Sequence, residues 1–499
     1  MSKEKLMAAC VNIVAVNGRP ISLIEDSGFQ MIIDPIIKAL EPISAINCQN
    51  VRQEILKVAS DRRASISKEV AGKLLCVKFD CCTRLDRSIL GINIQYAEKG
   101  KIILKTLGMI EVYGRHTGEY IKELMLECIF SYGISANQIY SLTSDNGSNI
   151  IKSVQLFLDG DEEEEDIDFD ELNINNDEEE EELVITEFSE SIRDVVRGFR
   201  CAAHTLQLAV LDALKLKSVD RLIGKARAAM KALKNQVFMV SIRRSKLKKP
   251  ILDGKTRWNS TLAMLARLLE LRDFITEIEN SHADLKISEI QWIGIQEICS
   301  VLEPARKASV RLQMQQLTIG DFYKLWTSCK MDVEEIDTVI LSTDERVKAK
   351  AYLVNLWQAV HQMRLDRNSN NNSFPHGHAE SFIGPLDKFE SAMREGENFM
   401  VSPAFTIENK RIDHLLENFE GHPRINSTEN LLEWWYNART DMPELFILAE
   451  IVHGVPVTQV SVERCFSSLK FVLSAYRNNL TPSILEDILL IRCNEKFEK

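Results

Sequence analysis

The sequence predicts an α/β protein in which a mixed sheet follows a helical lead-in and is interrupted by a long all-helical stretch. Three observations carry this. Apolar residues recur every second position between about residues 73 and 112, and at helical spacing on both sides of that window. Two strand-like runs stop abruptly on a carboxylate, Asp80 and Asp145. From Thr261 to about Phe389 no strand pattern interrupts the helical period.

Residues 1–70 read as mainly helical. Ile32, Ile33, Ile36, Ile37 and Leu40 fall at helical spacing around Pro35, which starts or kinks that helix. From Lys73 the period shortens. Leu74 to Asp80 is an apolar run, and Leu90, Ile92, Ile94 and Tyr96 share one face of a second strand. Glu98-Lys99-Gly100 makes a turn, and Ile102 to Val112 forms a third strand. Thr117 caps a helix that places Tyr120, Leu124, Cys128 and Tyr132 at four-residue spacing. Ile139 to Asp145 is then a fourth strand, closed by Asn146-Gly147, a pair that tolerates positive φ. The order βββαβ, with carboxylates ending the first and fourth strands, matches the first half of an RNase H-like fold. There strands one and four are neighbours, so both Asp side chains would face one cavity.

Charge is unevenly distributed. The net value is −12, but residues 161–182 hold fifteen Asp and Glu with no Lys or Arg, and the remainder carries +3. That segment is expected to be disordered, either a solvated extension or a nucleic-acid mimic competing for basic surfaces. Arg221, Lys225, Arg227, Lys231, Lys234, Arg243, Arg244, Lys246, Lys248 and Lys249 make the following stretch basic, suited to phosphate contact or to a solvated helix face. Arg257-Trp258 offers an indole beside a cation, either a base-stacking platform or a buried core seam. Cys201 and His204 sit three apart on one helical face, as half a metal site or as structural support.

At the C-terminal end, Thr458 is expected to cap a helix carrying Glu463 in its second turn and burying Phe466, Leu469 and Leu473. A last helix runs to Phe497. Its Leu485, Ile488, Leu489 and Ile491 are more apolar than a surface needs, which points to a partner subunit. The length of 499 residues suggests about three domains. No run of about 18 apolar residues appears, so no membrane partner is expected. Eleven scattered cysteines, none in a Cys-x-x-Cys, fit a reducing compartment and exclude the usual zinc finger from this chain.

Taken together these stretches resemble the hAT superfamily of DNA transposases. The matching blocks, in the family's order, are the strand ending at Asp80, Ser144-Asp-Asn-Gly-Ser-Asn149, Cys201-Ala-Ala-His204, Arg257-Trp-Asn-Ser260, and Ser461-Val-Glu-Arg-Cys-Phe-Ser467 with Arg477-Asn-Asn-Leu480. They cover about residues 70–499. The resemblance implies a catalytic and metal-binding triad of Asp80, Asp145 and Glu463, holding two Mg²⁺ or Mn²⁺ ions for phosphoryl transfer on DNA. It also implies nucleic-acid contacts by Arg257, Trp258, Arg243, Arg244, Lys248 and Lys249, with Trp258 stacked on a base. Cys201 and His204 would give structural support. It further implies a homodimer or higher oligomer, a nuclear location and no small-molecule substrate.

The divisions expected are 1–70, a helical N-terminal region; 71–260, the first part of the core; 261–400, the all-helical insertion; and 401–499, the core's completion with the family's dimerisation region. Three departures stand out. Cys82 occupies the place where the family often has Trp, the N-terminal BED-type zinc finger is missing from this chain, and the acidic insert is not a usual element. The competing functions are a metal-dependent DNA nuclease and strand transferase, a catalytically silent nuclear DNA-binding and dimerisation protein derived from one, and an RNase H-type hydrolase acting on RNA.

Overall fold

The computed structural model describes residues 2–39, 46–114, 117–145, 153, 197–254, 257–279, 282, 285–334, 419, 429–474 and 479–497. Asn146 to Asn149, the acidic segment 161–182, Lys255, Thr256, Arg477 and the stretch from 335 to 428 apart from Phe419 lie outside the described residues.

A five-stranded mixed sheet sets the architecture. Strands β1 (Leu75–Arg84), β2 (Arg87–Glu98) and β3 (Lys101–Val112) form an antiparallel meander, and β4 (Ile139–Ser144) and β5 (Arg197–Arg200) lie parallel to β1, in the order β3-β2-β1-β4-β5. This is an RNase H-like arrangement. Both hairpins turn through two residues of positive φ: Leu85 and Asp86 (50° and 62°), then Lys99 and Gly100 (52° and 74°). Two successive left-handed residues match the right-handed strand twist. Strand β5 escaped the sequence reading, because four residues carry too short a period to register.

The N-terminal region is helical, as expected: α1 (Lys3–Val11), α2 (Ser27–Ala39) with Pro35 inside it, and α3 (Cys48–Val70). Helix α4 (Gly118–Ser131) is capped by the Thr117 hydroxyl, which accepts from Tyr120 N at 3.3 Å. It buries Ile121, Met125 and Ile129 under one face of the sheet, against Val77, Phe79, Leu90, Ile92 and Ile94.

After β5 the chain is helical. Helices α5 (Ala202–Leu214), α6 (Lys217–Ala232), α7 (Gln236–Arg244), α8 (Trp258–Glu270), α9 (Arg272–Ile278), α10 (Glu289–Leu312) and α11 (Ile319–Glu334) share a single core, from Ala202 to Cys329. A capping box at Ser288 and Gln291 starts α10.

The chain then returns through α12 (Leu431–Ala438), α13 (Pro443–Gly454), α14 (Val460–Val472) and α15 (Pro482–Phe497). Helices α14 and α15 cover the second face of the sheet, sharing a core with α1, α3, Ile89 and Met109. This corrects the reading of α15. Leu485, Ile488, Leu489 and Ile491 are buried inside their own chain and are not left for a partner subunit.

Register between α14, α15 and the sheet is set by a buried polar layer. The Asn494 side chain accepts from Thr106 N at 2.9 Å and donates to Thr106 O at 3.0 Å, where the β2–β3 register shifts. Asn93 Nδ2 donates to Ser461 Oγ at 3.3 Å, and Lys78 Nζ donates to Gln95 Oε1 at 2.7 Å. An apolar interface alone would tolerate sliding; these bonds are satisfied in one register only. Gly91 permits the close approach, because a Cβ there would meet Val462 Cγ1 at 2.7 Å and the Phe466 ring at 3.1 Å.

A carboxylate cluster at the sheet edge

Strand β1 runs on to Arg84, so Asp80 lies inside it and does not end it as expected, while β4 and β5 stop level with Asp80. Lys78 pairs with Thr143, and Ser144 with Arg200, so extending the register sets Asp80, Asp145 and Cys201 in one row. Ligands of open α/β sheets bind outside such carboxyl ends.

The third carboxylate is brought there by the segment before α14, which is fastened at several points. Thr143 Oγ1 donates to Pro456 O at 3.0 Å, Ala202 N donates to Val457 O at 3.0 Å, and Gln459 N donates to Cys201 Sγ at 3.5 Å. Cys201 N in turn donates to Ser144 O at 2.8 Å. The end of β4, the start of α5 and the start of α14 therefore form one hydrogen-bonded unit, with Glu463 in the first turn of α14. Two expectations are corrected. Thr458 does not cap α14, because its hydroxyl goes to Leu312 O at the end of α10, at 3.3 Å. Gln459 holds the N-cap position, so Glu463 falls one residue nearer the helix start, in the first turn and not the second.

Asp80 is 8% exposed. Its Oδ1 accepts from Cys81 N at 2.8 Å and its Oδ2 from Gln459 Nε2 at 3.0 Å. Burial pushes its pKa up to about 8; the Asp145 charge adds to this, the Cys81 N–H opposes it and Glu463 raises it further. Burial also raises Glu463, while the Arg257 guanidinium and His204 pull it back and Asp145 pushes it up. These mutual effects put Asp80, Asp145, Glu463, Arg257 and His204 in one electrostatic neighbourhood. Burial raises Cys201 to about 11, so its sulfur is a protonated thiol braced by backbone N–H groups. That is the chemistry of a support.

The remaining candidates lie further out. Trp258 opens α8 and is 2% exposed within the helical core, the seam that its local sequence favoured; its indole presents no open face. Arg257 beside it is exposed. Arg243 and Arg244 end α7 on the surface, with Lys248 and Lys249 following, also exposed. Lys248 reaches Glu270 at 3.1 Å.

Sequence reasoning passed over Gln459, which touches Asp80 and Cys201 at once. The only signal was its lone amide in the run Val457-Thr-Gln-Val460.

Among the described residues no group of three His, Cys, Asp or Glu is already drawn together as a metal cage. The donors nevertheless suit a hard divalent cation in kind, since all three are oxygen-bearing and disfavour one another's charge. Next to them Gln459 Oε1 is buried with no hydrogen-bond partner, as expected where an ion or its water belongs.

Comparison with known proteins agrees with this fold. Residues 412–494 match the hAT family C-terminal dimerisation region, and residues 199–301 match the ZBED1 RNase-like helical domain. A Talaromyces stipitatus protein named as a proposed transcriptional regulator, tpeD, is 21% identical over 566 residues, which is 99% of this chain and 62% of that protein. The chain thus spans less than two thirds of that relative's length. With an RNase H-like sheet and these two matched regions, the chain carries hAT transposase-like domains.

Proposed function

We propose that the protein is a hAT transposase-like nuclease and strand transferase acting on DNA. The supporting observation is that Asp80, inside β1, Asp145, just past β4, and Glu463, on a distant helix, feel one another's charge at one edge of the sheet. Those three carboxylates would hold Mg²⁺ or Mn²⁺. When bound, such ions supply charge neutralisation and a nucleophile for in-line phosphoryl transfer. The chain's own part is placement. Cys81 N–H and the Gln459 amide fix the Asp80 carboxylate, Cys201 braces the start of α14, and Arg257 offsets the acidity around Glu463. Arg243, Arg244, Lys248 and Lys249 would contact phosphates without reading sequence. Trp258, buried, would hold Arg257 in place through packing instead of stacking on a base. Self-association through the C-terminal region and a nuclear location belong to the same proposal.

Nicking of supercoiled plasmid in Mn²⁺ tests this. The Asp145→Asn variant is expected to nick at least about a hundredfold more slowly than wild type. Equal cleavage by both overturns the metal mechanism. Preference for an RNA–DNA hybrid over duplex DNA would select an RNase H-type hydrolase. A second reading, a catalytically silent DNA-binding regulator, draws on the name of the Talaromyces relative, a proposed transcriptional regulator. DNA binding without nicking by wild type selects it.

A further inference from the structure

We infer that Gln459 is a positioning residue for the carboxylate cluster: its amide N–H orients Asp80, and its carbonyl oxygen accepts a hydrogen bond from metal-bound water. This rests on the metal-site reading above.

Three observations carry it. First, Gln459 occupies the N-cap of α14, but its side chain does not cap the helix. It turns toward β1 and donates from Nε2 to Asp80 Oδ2 at 3.0 Å. Second, the residue is 1% exposed and its Oε1 is buried without a hydrogen-bond partner. An unpaired buried carbonyl is costly, so an occupant that donates to it is favoured. Third, the Gln459 backbone ties the same residue to Cys201 Sγ at 3.5 Å, and Cys201 is joined to the end of β4. One residue therefore links the strand of Asp80, the strand of Asp145 and the helix of Glu463. Carboxylates that hold metals are commonly oriented by a hydrogen bond from outside the ligand set. Here that bond comes with an unpartnered buried acceptor on the same amide.

The test compares Mn²⁺ affinity, by electron paramagnetic resonance titration, for wild type, Gln459→Met, Gln459→Glu and Asp145→Asn. Melting of each metal-free protein is measured in parallel. Methionine keeps the volume and removes both hydrogen bonds; glutamate keeps an oxygen acceptor. Gln459→Met is expected to bind Mn²⁺ roughly 10- to 100-fold more weakly. Its metal-free melting temperature is expected within about 2 °C of wild type, as the lost bond is offset by relief of the buried carbonyl. Gln459→Glu keeps the acceptor but, as a carboxylate, cannot donate to Asp80, so it is expected to bind Mn²⁺ more weakly than wild type. Affinity of Gln459→Met within twofold of wild type, or tighter, overturns the inference while leaving the metal site standing. If Gln459→Met fails to fold, Gln459→Glu decides: affinity within twofold of wild type, or tighter, overturns the inference, and weaker binding upholds it. Equal Mn²⁺ binding by wild type and Asp145→Asn overturns both the metal site and this inference.

Discussion

Asp80 shows how a single residue trades stability for chemistry. A carboxyl with an ordinary pKa near 4 is pushed to about 8 by burial and by the charge of Asp145. Between those values the folded state holds a proton that the unfolded chain has released. Stability therefore falls as pH rises from about 4 through about 8, and the full penalty is present above that range. Calorimetry of metal-free protein is expected to show this slope in wild type and a shallower one in Asp80→Asn. The variant should melt about 2 °C or more above wild type at pH 8.5, with the gap closing toward pH 5. Parallel slopes would mean that Asp80 titrates as an ordinary surface carboxylate.

Among the elements, α14 decides whether the proposed site can form, because it carries Glu463 across hundreds of residues toward Asp80 in β1 and the end of β4. Gly91 sets its height over the sheet and the Asn93–Ser461 hydrogen bond its register. Gly91→Ala would put a methyl group 2.7 Å from Val462 Cγ1, and the helix must lift. A loss of about 1–3 kcal/mol in chemical denaturation is expected, with nicking reduced by more than that loss of stability would account for. Unchanged stability would show that α14 has slack.

The first four strands and α4 were legible in the sequence, because period-two runs and the Thr117 cap are local signals. Asp145 was legible as a strand end, whereas Asp80 was misread as one, because β1 continues past it to Arg84 in antiparallel pairing with β2. The placement of Glu463 was not, since nothing local links residue 463 to residue 80 and only the family resemblance joined them. Gln459 and the true N-cap of α14 were invisible for the same reason: Thr458 is a better capping residue by type, but its hydroxyl is drawn to Leu312. The burial of α15 was misread because its partners, α1, α3 and β3, come from the other end of the chain.

At the scale of the whole molecule, charge is divided between an acidic segment and a basic remainder. The net −12 would become +3 without residues 161–182. Deleting them is expected to tighten non-specific DNA binding by roughly tenfold at moderate salt, measured by fluorescence anisotropy. Replacing Arg243 and Arg244 by Glu is expected to weaken binding about equally for unrelated DNA sequences and to reduce the salt slope by about 1 per lost contact. A deletion that leaves affinity unchanged would assign the acidic segment no competing role. The proposed function rests on one arrangement, in which two neighbouring strands and a distant helix would deliver three carboxylates to the same divalent ion. Anomalous diffraction from a crystal soaked in Mn²⁺ tests it most directly. A peak bounded by Asp80, Asp145 and Glu463, lost in Asp145→Asn, is the expected result. Mn²⁺-dependent nicking by a protein with no peak between those side chains would contradict it.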